Sequence, residues 1–369
     1  MSGNCRTRRQ RSHARIIRRF LRPQQANRRQ GEEFYLAGRI FPAVIISRTP
    51  LRISFAGGGS DFPAFYRREA GAVVATSINK YIYLTVNKKF DAKIRASYAI
   101  TEMVDRVEDL KHELIREALR LTGITGGIEI TSISDIPSRG TGLGSSSAYT
   151  VGVLHALHAY AGRHAGAKRL AEEACQIEIE RLGRPIGKQD QYISAFGGLQ
   201  FIRFEEGDVS VEPLLPGAEF RDRLQEHLLL LYTGVTRSAD AILAEQQRNL
   251  QENPGALDDA LRLRNLALDL REALMNRRLT EMGEILDEGW AIKRRLASGV
   301  TTPHIDAWYE TARAAGAIGG KLLGAGGGGF LLLFAPPRSQ PAILERLPDL
   351  RPVAFRLEPY GSRIIYVEE

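Results

Sequence analysis

The sequence predicts an α+β fold built in two halves. Three observations carry that expectation: closely spaced β-rich segments after Val44, a charge-free stretch rich in Ala, Val and Leu at Ser145–Tyr160, and a second half in which long charged helical patterns give way to short strands. A chain of 369 residues, 43% hydrophobic and 25% charged, has enough apolar material for a core shared between two domains.

Residues 44–47, 51–56, 72–78 and 81–86 are rich in β-branched and aromatic side chains and read as strands of one sheet. Over 107–121, Leu110, Leu114, Ile115, Ala118 and Leu119 fall on one helical face, and Gly123 supplies the stop. Residues 127–132 read as a strand, 137–144 as a loop, and 145–160 as a helix buried on most sides. A second helix over 167–182 leads into the breaker-rich turn Gly183-Arg184-Pro185-Ile186-Gly187 and then Lys188-Gln189-Asp190-Gln191. Strands follow at 198–204 and 228–232, and a charged, helix-rich stretch covers 239–296 with a break at Asn253-Pro254-Gly255. The last part reads as strands at 319–323, 330–334, 353–356 and 363–367, with helices at 303–315 and 339–347. The expected organisation is an Arg-rich, disordered extension over 1–47, one domain over 48–210 and another over 211–369, with no solenoid repeat.

Charge and cysteine usage exclude several classes. The net charge of +8 is confined to the head: residues 1–47 hold 11 Arg, no Lys and 2 Glu, or +9, so the remainder carries about −1. The head fits a transit peptide, a nucleic-acid arm or an unstructured or misassigned start; no groove-binding motif accompanies it, which favours the last and argues against a nucleic-acid partner. Two cysteines, Cys5 and Cys175, support neither a disulfide framework nor a cysteine zinc site, and the chain reads as cytoplasmic. No apolar run approaches the roughly 20 residues that a membrane span needs, so no membrane partner is expected.

The chemistry concentrates in three glycine-rich segments. The central one, Pro137-Ser138-Arg139-Gly140-Thr141-Gly142-Leu143-Gly144-Ser145-Ser146-Ser147, lies between a predicted strand and a predicted helix. Glycines let backbone amides approach phosphate oxygens, the helix N-terminus adds partial positive charge, and serine hydroxyls can donate to phosphate or meet a magnesium ion. A flexible linker is the alternative, but linkers rarely feed into a buried apolar helix. No Gly-Lys-Ser/Thr ends the segment, so it is not a Walker loop. The first segment, Arg52-Ile53-Ser54-Phe55-Ala56-Gly57-Gly58-Gly59-Ser60-Asp61, and the third, Gly320-Lys321-Leu322-Leu323-Gly324-Ala325-Gly326-Gly327-Gly328-Gly329, would each pass alone for a hairpin or bulge.

Together and in this order, the three segments resemble those of the GHMP kinases, the superfamily of galactokinase and the homoserine, mevalonate and phosphomevalonate kinases. The resemblance covers nearly all of residues 48–369. It implies a two-domain fold, a ribosomal-protein-like N-terminal half and a ferredoxin-like C-terminal half with added helices, with the active site between them. It implies ATP and Mg²⁺ as cofactors, the ATP being bound by Pro137, Gly140, Gly142, Leu143, Gly144, Ser145, Ser146 and Ser147. Asp190 matches the family's catalytic aspartate, and Arg52 an arginine near that base and the transferred phosphate. Glu178 and Ser146 match the metal-binding pair. Gly58, Gly59, Ser60, Asp61, Gly326 and Gly327 match positions lining the acceptor site.

Bland readings stand beside these. Glu178 lies among Glu172, Glu173 and Glu180, where a solvated charge is the ordinary explanation, and Asp190 also suits a turn cap. Lys188 and Lys321 read as surface charges, and His155 and His158 as packed or locally bonded. The segments Ser77-Ile78-Asn79-Lys80-Tyr81-Ile82-Tyr83, Gly187-Lys188-Gln189-Asp190-Gln191-Tyr192 and Tyr232-Thr233-Gly234-Val235-Thr236-Arg237-Ser238, with Ala56-Gly57-Gly58-Gly59-Ser60-Asp61, are similar to those of the D-glycero-D-manno-heptose 7-phosphate kinase branch. That branch phosphorylates an anomeric hydroxyl, which implies a small-molecule sugar phosphate acceptor and is compatible with a homodimer. Arg237 is the candidate cation for the acceptor's phosphate, since guanidinium geometry suits phosphate. Free-sugar 1-kinases of the fucose or galacturonate type, and a sugar-sensing regulator without transfer, remain the alternatives.

Overall fold

The β-branched run that begins at Val44 does not stop at Ser47: Val44–Ala56 forms one strand, β1, alternating in burial at first and buried from Thr49 onward. The computed structural model describes residues 44–137, 140–236 and 239–368; these belong to one compact unit. After the short helix α1 (Pro63–Tyr66), the long strand β2 (Gly71–Lys88) returns antiparallel to β1, from Val44↔Asn87 to Ala56↔Val74. The register shifts between Pro50 and Leu51, where a residue without an amide donor interrupts the ladder.

The chain continues through β3 (Ile94–Ser97), β4 (Thr101–Val104), a 3₁₀ turn at Val107–Asp109, and α2 (Glu113–Thr122). His112 Nδ1 accepts the Ile115 amide as an N-cap, and Gly123, at φ 74°, ends α2. Then come β5 (Ile128–Ser134), α3 (Ser145–Tyr160), α4 (Ala167–Cys175), α5 (Gln189–Phe196), β6 (Leu199–Glu205) and β7 (Asp208–Pro213). Helix α3 is apolar all round and lies on β1 and β2, where Ser47 Oγ donates to Gly152 O at 2.9 Å.

The second half runs α6 (Ala218–His227), β8 (Leu228–Tyr232), α7 (Asp240–Glu252), α8 (Pro254–Met275), α9 (Leu279–Lys293), α10 (Pro303–Ala314), β9 (Gly319–Leu322), β10 (Phe330–Phe334), α11 (Gln340–Arg346), β11 (Arg351–Pro352) and β12 (Arg363–Glu368). One sheet has the order β12-β1-β2-β5-β3-β4, with β6 also paired to β2 and β7 to β6; the other is β11-β8-β10-β9. The largest apolar cluster among the described residues joins the halves, running from Leu51, Leu84 and Leu154 to Leu266, Leu286 and Phe334, with smaller clusters around Trp290 and Phe65.

Several expectations change. The strand expected at 353–356 is absent, although Val353 still donates to Leu230 O at 2.9 Å. The last strand does not stay with the second half but pairs with β1, Val44↔Glu368 through Arg48↔Arg363. A division at 210/211 would cut β7, and the extension drawn over 1–47 overlaps the start of β1. The helix expected to run through 182 changes pitch to a π-helix at Gln176–Arg181. The Arg-rich segment ending at residue 43 lies outside the described residues. No described helix is long and apolar enough to cross a membrane.

Candidate active site

Residues far apart in sequence line one cleft of about 1220 Å³. Its first wall comes from β1, the loop after it, the glycine segment before α3 and the start of α5; its second comes from α7, α9 and β9.

Arg52 projects from the buried part of β1 and grips Asp190, in the first turn of α5, with a two-pronged fork: Nε to Oδ1 and Nη2 to Oδ2, both 2.7 Å. Its remaining nitrogen, Nη1, donates to Gly142 O at 2.5 Å. One guanidinium therefore ties β1, α5 and the central glycine segment together. A carboxylate offers about four lone-pair directions and the fork uses two, leaving Asp190 able to accept a hydroxyl proton from the cleft it lines.

Glycine is required where the segments cross. Gly144 has φ 73°, and a Cβ there would lie 3.0 Å from Arg52 Cγ and 3.2 Å from Asp190 Oδ2. Gly142 has φ 76°, and a Cβ would lie 2.3 Å from Leu323 O, just before Gly324 of the third glycine segment. Gly144 is also the N-cap of α3 and provides no side-chain cap, so the first amides of a buried helix open toward the cleft beside Ser145, Ser146 and Ser147.

Glu178 lies in the π-helical turn and is fully buried. Burial pushes its carboxyl above the usual range, partly offset by hydrogen bonds from Ser146, Ser147 and Gln191 and by the charge of Arg184. Ser146 Oγ donates to Glu178 Oε1 at 2.7 Å, and Gln191 Nε2 to Oε2 at 2.8 Å. Arg184 Nη1 donates to both Ser146 Oγ (2.7 Å) and Glu178 Oε1 (3.4 Å), so the two oxygens already face a cation. Among the described residues no group of three or more His, Cys, Asp or Glu could hold a metal. One carboxylate and a hydroxyl beside a phosphate cradle nevertheless fit Mg²⁺, which binds through one or two carboxylates with water and substrate phosphates.

Asp61 lines the cleft while bracing its wall: Oδ1 accepts the Gly59 amide (3.0 Å) and Oδ2 the Gln189 amide (3.2 Å). Burial raises its pKa, and the Asp190 charge adds to the rise, while the amide bonds pull the other way. Gly58, Gly59 and Gly140 also line the cleft. Ser60 does not: it is fully buried, and its hydroxyl bridges Gly57 O (2.8 Å) and Ala72 O (3.0 Å). It holds the loop's shape instead of meeting an acceptor. Pro137 and Leu143 are also off the lining; Leu143 is buried, with its carbonyl accepting the Arg52 amide at 3.0 Å. Gly326 and Gly327 pack against Val300, Gly327 N donating to its carbonyl at 3.0 Å, and Gly324 and Ala325 line the cleft in their place. Arg237 lies outside the described residues.

Lys321 is no surface charge: it is buried, lines the cleft and donates to Phe55 O at 3.0 Å. His155 and His158 are packed, against Ser362 (3.0 Å) and Glu173 (2.5 Å). Sequence reasoning missed Lys293 and Gln246, which line the second wall, and also Ser54 and Gln189 on the first. The signal was a polar residue on an apolar stripe: Lys293 follows Met282, Leu286 and Trp290 along α9, and Gln246 sits between Ile242 and Leu250 on α7. Among the described residues Ser54 Oγ, Gln189 Oε1 and Gln246 Nε2 are buried without a hydrogen-bond partner, as expected where a hydroxylated ligand completes the set. Tyr98, His112 and Tyr149 line another stretch, with ring centroids 4.4 and 5.0 Å apart.

The sequence and the fold have counterparts among known proteins. The family description "GHMP kinases N terminal domain" matches residues 107–198, and "GHMP kinases C terminal" matches 270–351. The D-glycero-alpha-D-manno-heptose 7-phosphate kinase of Campylobacter jejuni is 30% identical over 319 residues, covering 82% of this chain and 93% of that one. The bifunctional fucokinase/GDP-fucose pyrophosphorylase of Arabidopsis thaliana is 29% identical over 78% of this chain, which spans only 29% of that protein. The crystal structure of a D-glycero-D-manno-heptose 1-phosphate kinase from Bacteriodes thetaiotaomicron superposes with a TM-score of 0.73 at 25% identity, over 88% of this chain and 100% of that one. Two matched domains in order, and 30% identity across 93% of a curated enzyme, make this chain a member of the GHMP kinase family, ATP-dependent phosphotransferases that act on hydroxyl groups.

Proposed function

We propose that this protein transfers the γ-phosphoryl group of ATP to the anomeric hydroxyl of D-glycero-D-manno-heptose 7-phosphate, giving the 1,7-bisphosphate used to build nucleotide-activated heptose. The observation that carries the reaction type is the Arg52–Asp190 fork set against the glycine segment at the start of α3. The acceptor hydroxyl gives its proton to Asp190 as its oxygen bonds to the γ-phosphorus; the bond to the bridging oxygen breaks, and ADP leaves. Arg52 holds the base in position through both carboxylate oxygens. The backbone from Gly140 to Ser147 and the first amides of α3 receive phosphate oxygens, and Asp61, Gly58 and Gly59 shape the acceptor end. Mg²⁺, held by Glu178 and Ser146, would supply charge neutralisation on the β- and γ-phosphates.

The acceptor assignment is supported by the name and length coverage of the Campylobacter relative. It also draws on the unpartnered Ser54, Gln189 and Gln246 atoms, which suit a polyol. An anomeric hydroxyl is more acidic than an ordinary alcohol, which eases the demand on Asp190. The similarity to a fucokinase favours a second reading, a free-sugar 1-kinase. Acceptor-dependent ADP release, measured across heptose 7-phosphate, free heptose, L-fucose and galacturonate, separates the two, and phosphorus NMR of the product locates the new phosphate. The proposal expects turnover with heptose 7-phosphate and a second phosphate on C1. Faster turnover of a free sugar, or phosphate placed elsewhere, would replace it.

A further inference from the structure

Lys293 closes α9 on the second wall of the cleft, and nothing in the three glycine segments announces it. Its side chain is buried, and its Nζ donates to Gly324 O and, at 3.4 Å, to Leu322 O. No carboxylate pairs with it among the ion pairs of the described residues. Gly324 in turn packs on Gly142, whose carbonyl takes Arg52, so the ammonium is anchored one backbone layer from the fork that holds Asp190. A buried cation held only by neutral carbonyls is unfavourable unless an anion completes it.

We infer that Lys293 binds a non-bridging oxygen of the γ-phosphoryl group in transfer, as the cation that the second half of the molecule contributes to the reaction. The charged groups facing it are Arg52 from β1, Asp61 from the loop after β1, Asp190 from α5 and Lys321 from β9. Burial pulls the Lys293 ammonium down to about 8, Arg52 acts in the same direction, and Asp61 and Asp190 oppose it. Burial, with the charges of Lys293 and Arg52, holds the Lys321 ammonium well below the ordinary lysine range. Its Nζ is turned to Phe55 O at 3.0 Å, whereas the Lys293 Nζ sits over the Gly324 carbonyl of the third glycine segment. The inference rests on the cleft being a phosphoryl-transfer site, and not on the identity of the acceptor.

An anion that meets Lys293 must raise its proton affinity, so binding takes up protons near pH 8. Calorimetry of magnesium ATP and magnesium ADP binding at pH 8, in buffers of different ionisation enthalpy, counts those protons on the intact protein. Expected is an uptake of up to about half a proton with ATP, little with ADP, and none with ATP in Lys293→Met. In that variant kcat falls on the order of a hundredfold while the acceptor KM stays within threefold. Equal uptake with ATP and ADP, or none with either, overturns the inference. So does uptake that appears only with a sugar phosphate, which would give Lys293 to the acceptor. The comparison of wild-type ATP and ADP decides even if Lys293→Met fails to fold. A wild-type protein that binds ATP yet turns over no heptose phosphate removes the acceptor assignment and leaves this test intact.

Discussion

Arg52 and Asp190 are separated by 138 positions and meet in a fork because two unrelated local structures are aimed at one point. β1 delivers the guanidinium from its buried end, and the turn after Gly187 starts α5 so that Asp190 falls in its first turn. The residues around the pair divide between chemistry and support. Ser60 is support: Ser60→Ala removes a fully buried hydroxyl bonded to two carbonyls, and should cost about 1–3 kcal/mol of stability while leaving the acceptor KM within twofold. Denaturant unfolding together with initial rates checks this, and a tenfold rise in acceptor KM at unchanged stability would return Ser60 to the acceptor site. The three glycine segments were legible because they are continuous in sequence. Which of their members face the cleft was not, because that depends on packing partners such as Ala72 and Val300 that lie outside them.

At the scale of elements, α3 and the strands at Leu228–Tyr232 and Phe330–Phe334 carry their pattern in their own residues and were readable end to end. The turn at Gln176–Arg181 was not: its composition continues the helix before it, and only the structure shows the wider pitch that sets Glu178 against Ser146. Helix α5 escaped notice because it is eight residues long and opens on Gln189-Asp190-Gln191, which reads equally well as a turn. Helix α7 was expected as a helix but not as a wall of the site; Leu243 and Gln246 line the cleft from it. Gln246→Leu should therefore raise the acceptor KM about tenfold with the ATP KM unchanged, because Nε2 is a buried donor with no partner among the described residues. Steady-state kinetics with each substrate varied in turn reads the split, and an effect on ATP alone would place α7 at the nucleotide instead. Glu178→Gln keeps the shape of the π-helical turn but removes a charged oxygen, so the concentration of Mg²⁺ giving half-maximal rate should rise about tenfold or more.

Across the whole molecule, the two halves are bound by more than the cleft. β12 follows the last strand of the second sheet in sequence but lies along β1 in the first, and Ser362, just before it, bridges Thr49 Oγ1 (2.8 Å) and His155 Nδ1 (3.0 Å). Local periodicity marks residues 363–367 as a strand but is silent on which sheet takes it, so a division at 210/211 is the natural reading of the sequence, although β12 pairs with β1. Deleting Arg363–Glu369 should lower the midpoint of one cooperative thermal transition by several degrees instead of melting the second half alone, which calorimetry can resolve. The cleft depends on the same union, with Asp190 and Arg52 from one half and Lys293 and Lys321 from the other. Within that cleft, Asp190 is the proposed proton acceptor for phosphoryl transfer. The most direct test is single-turnover formation of the phosphorylated heptose by Asp190→Asn against wild type, with ATP affinity measured alongside. The expected rate is about a thousandfold lower with ATP binding within a few-fold of wild type; transfer within tenfold of wild type would contradict Asp190 as the proton acceptor.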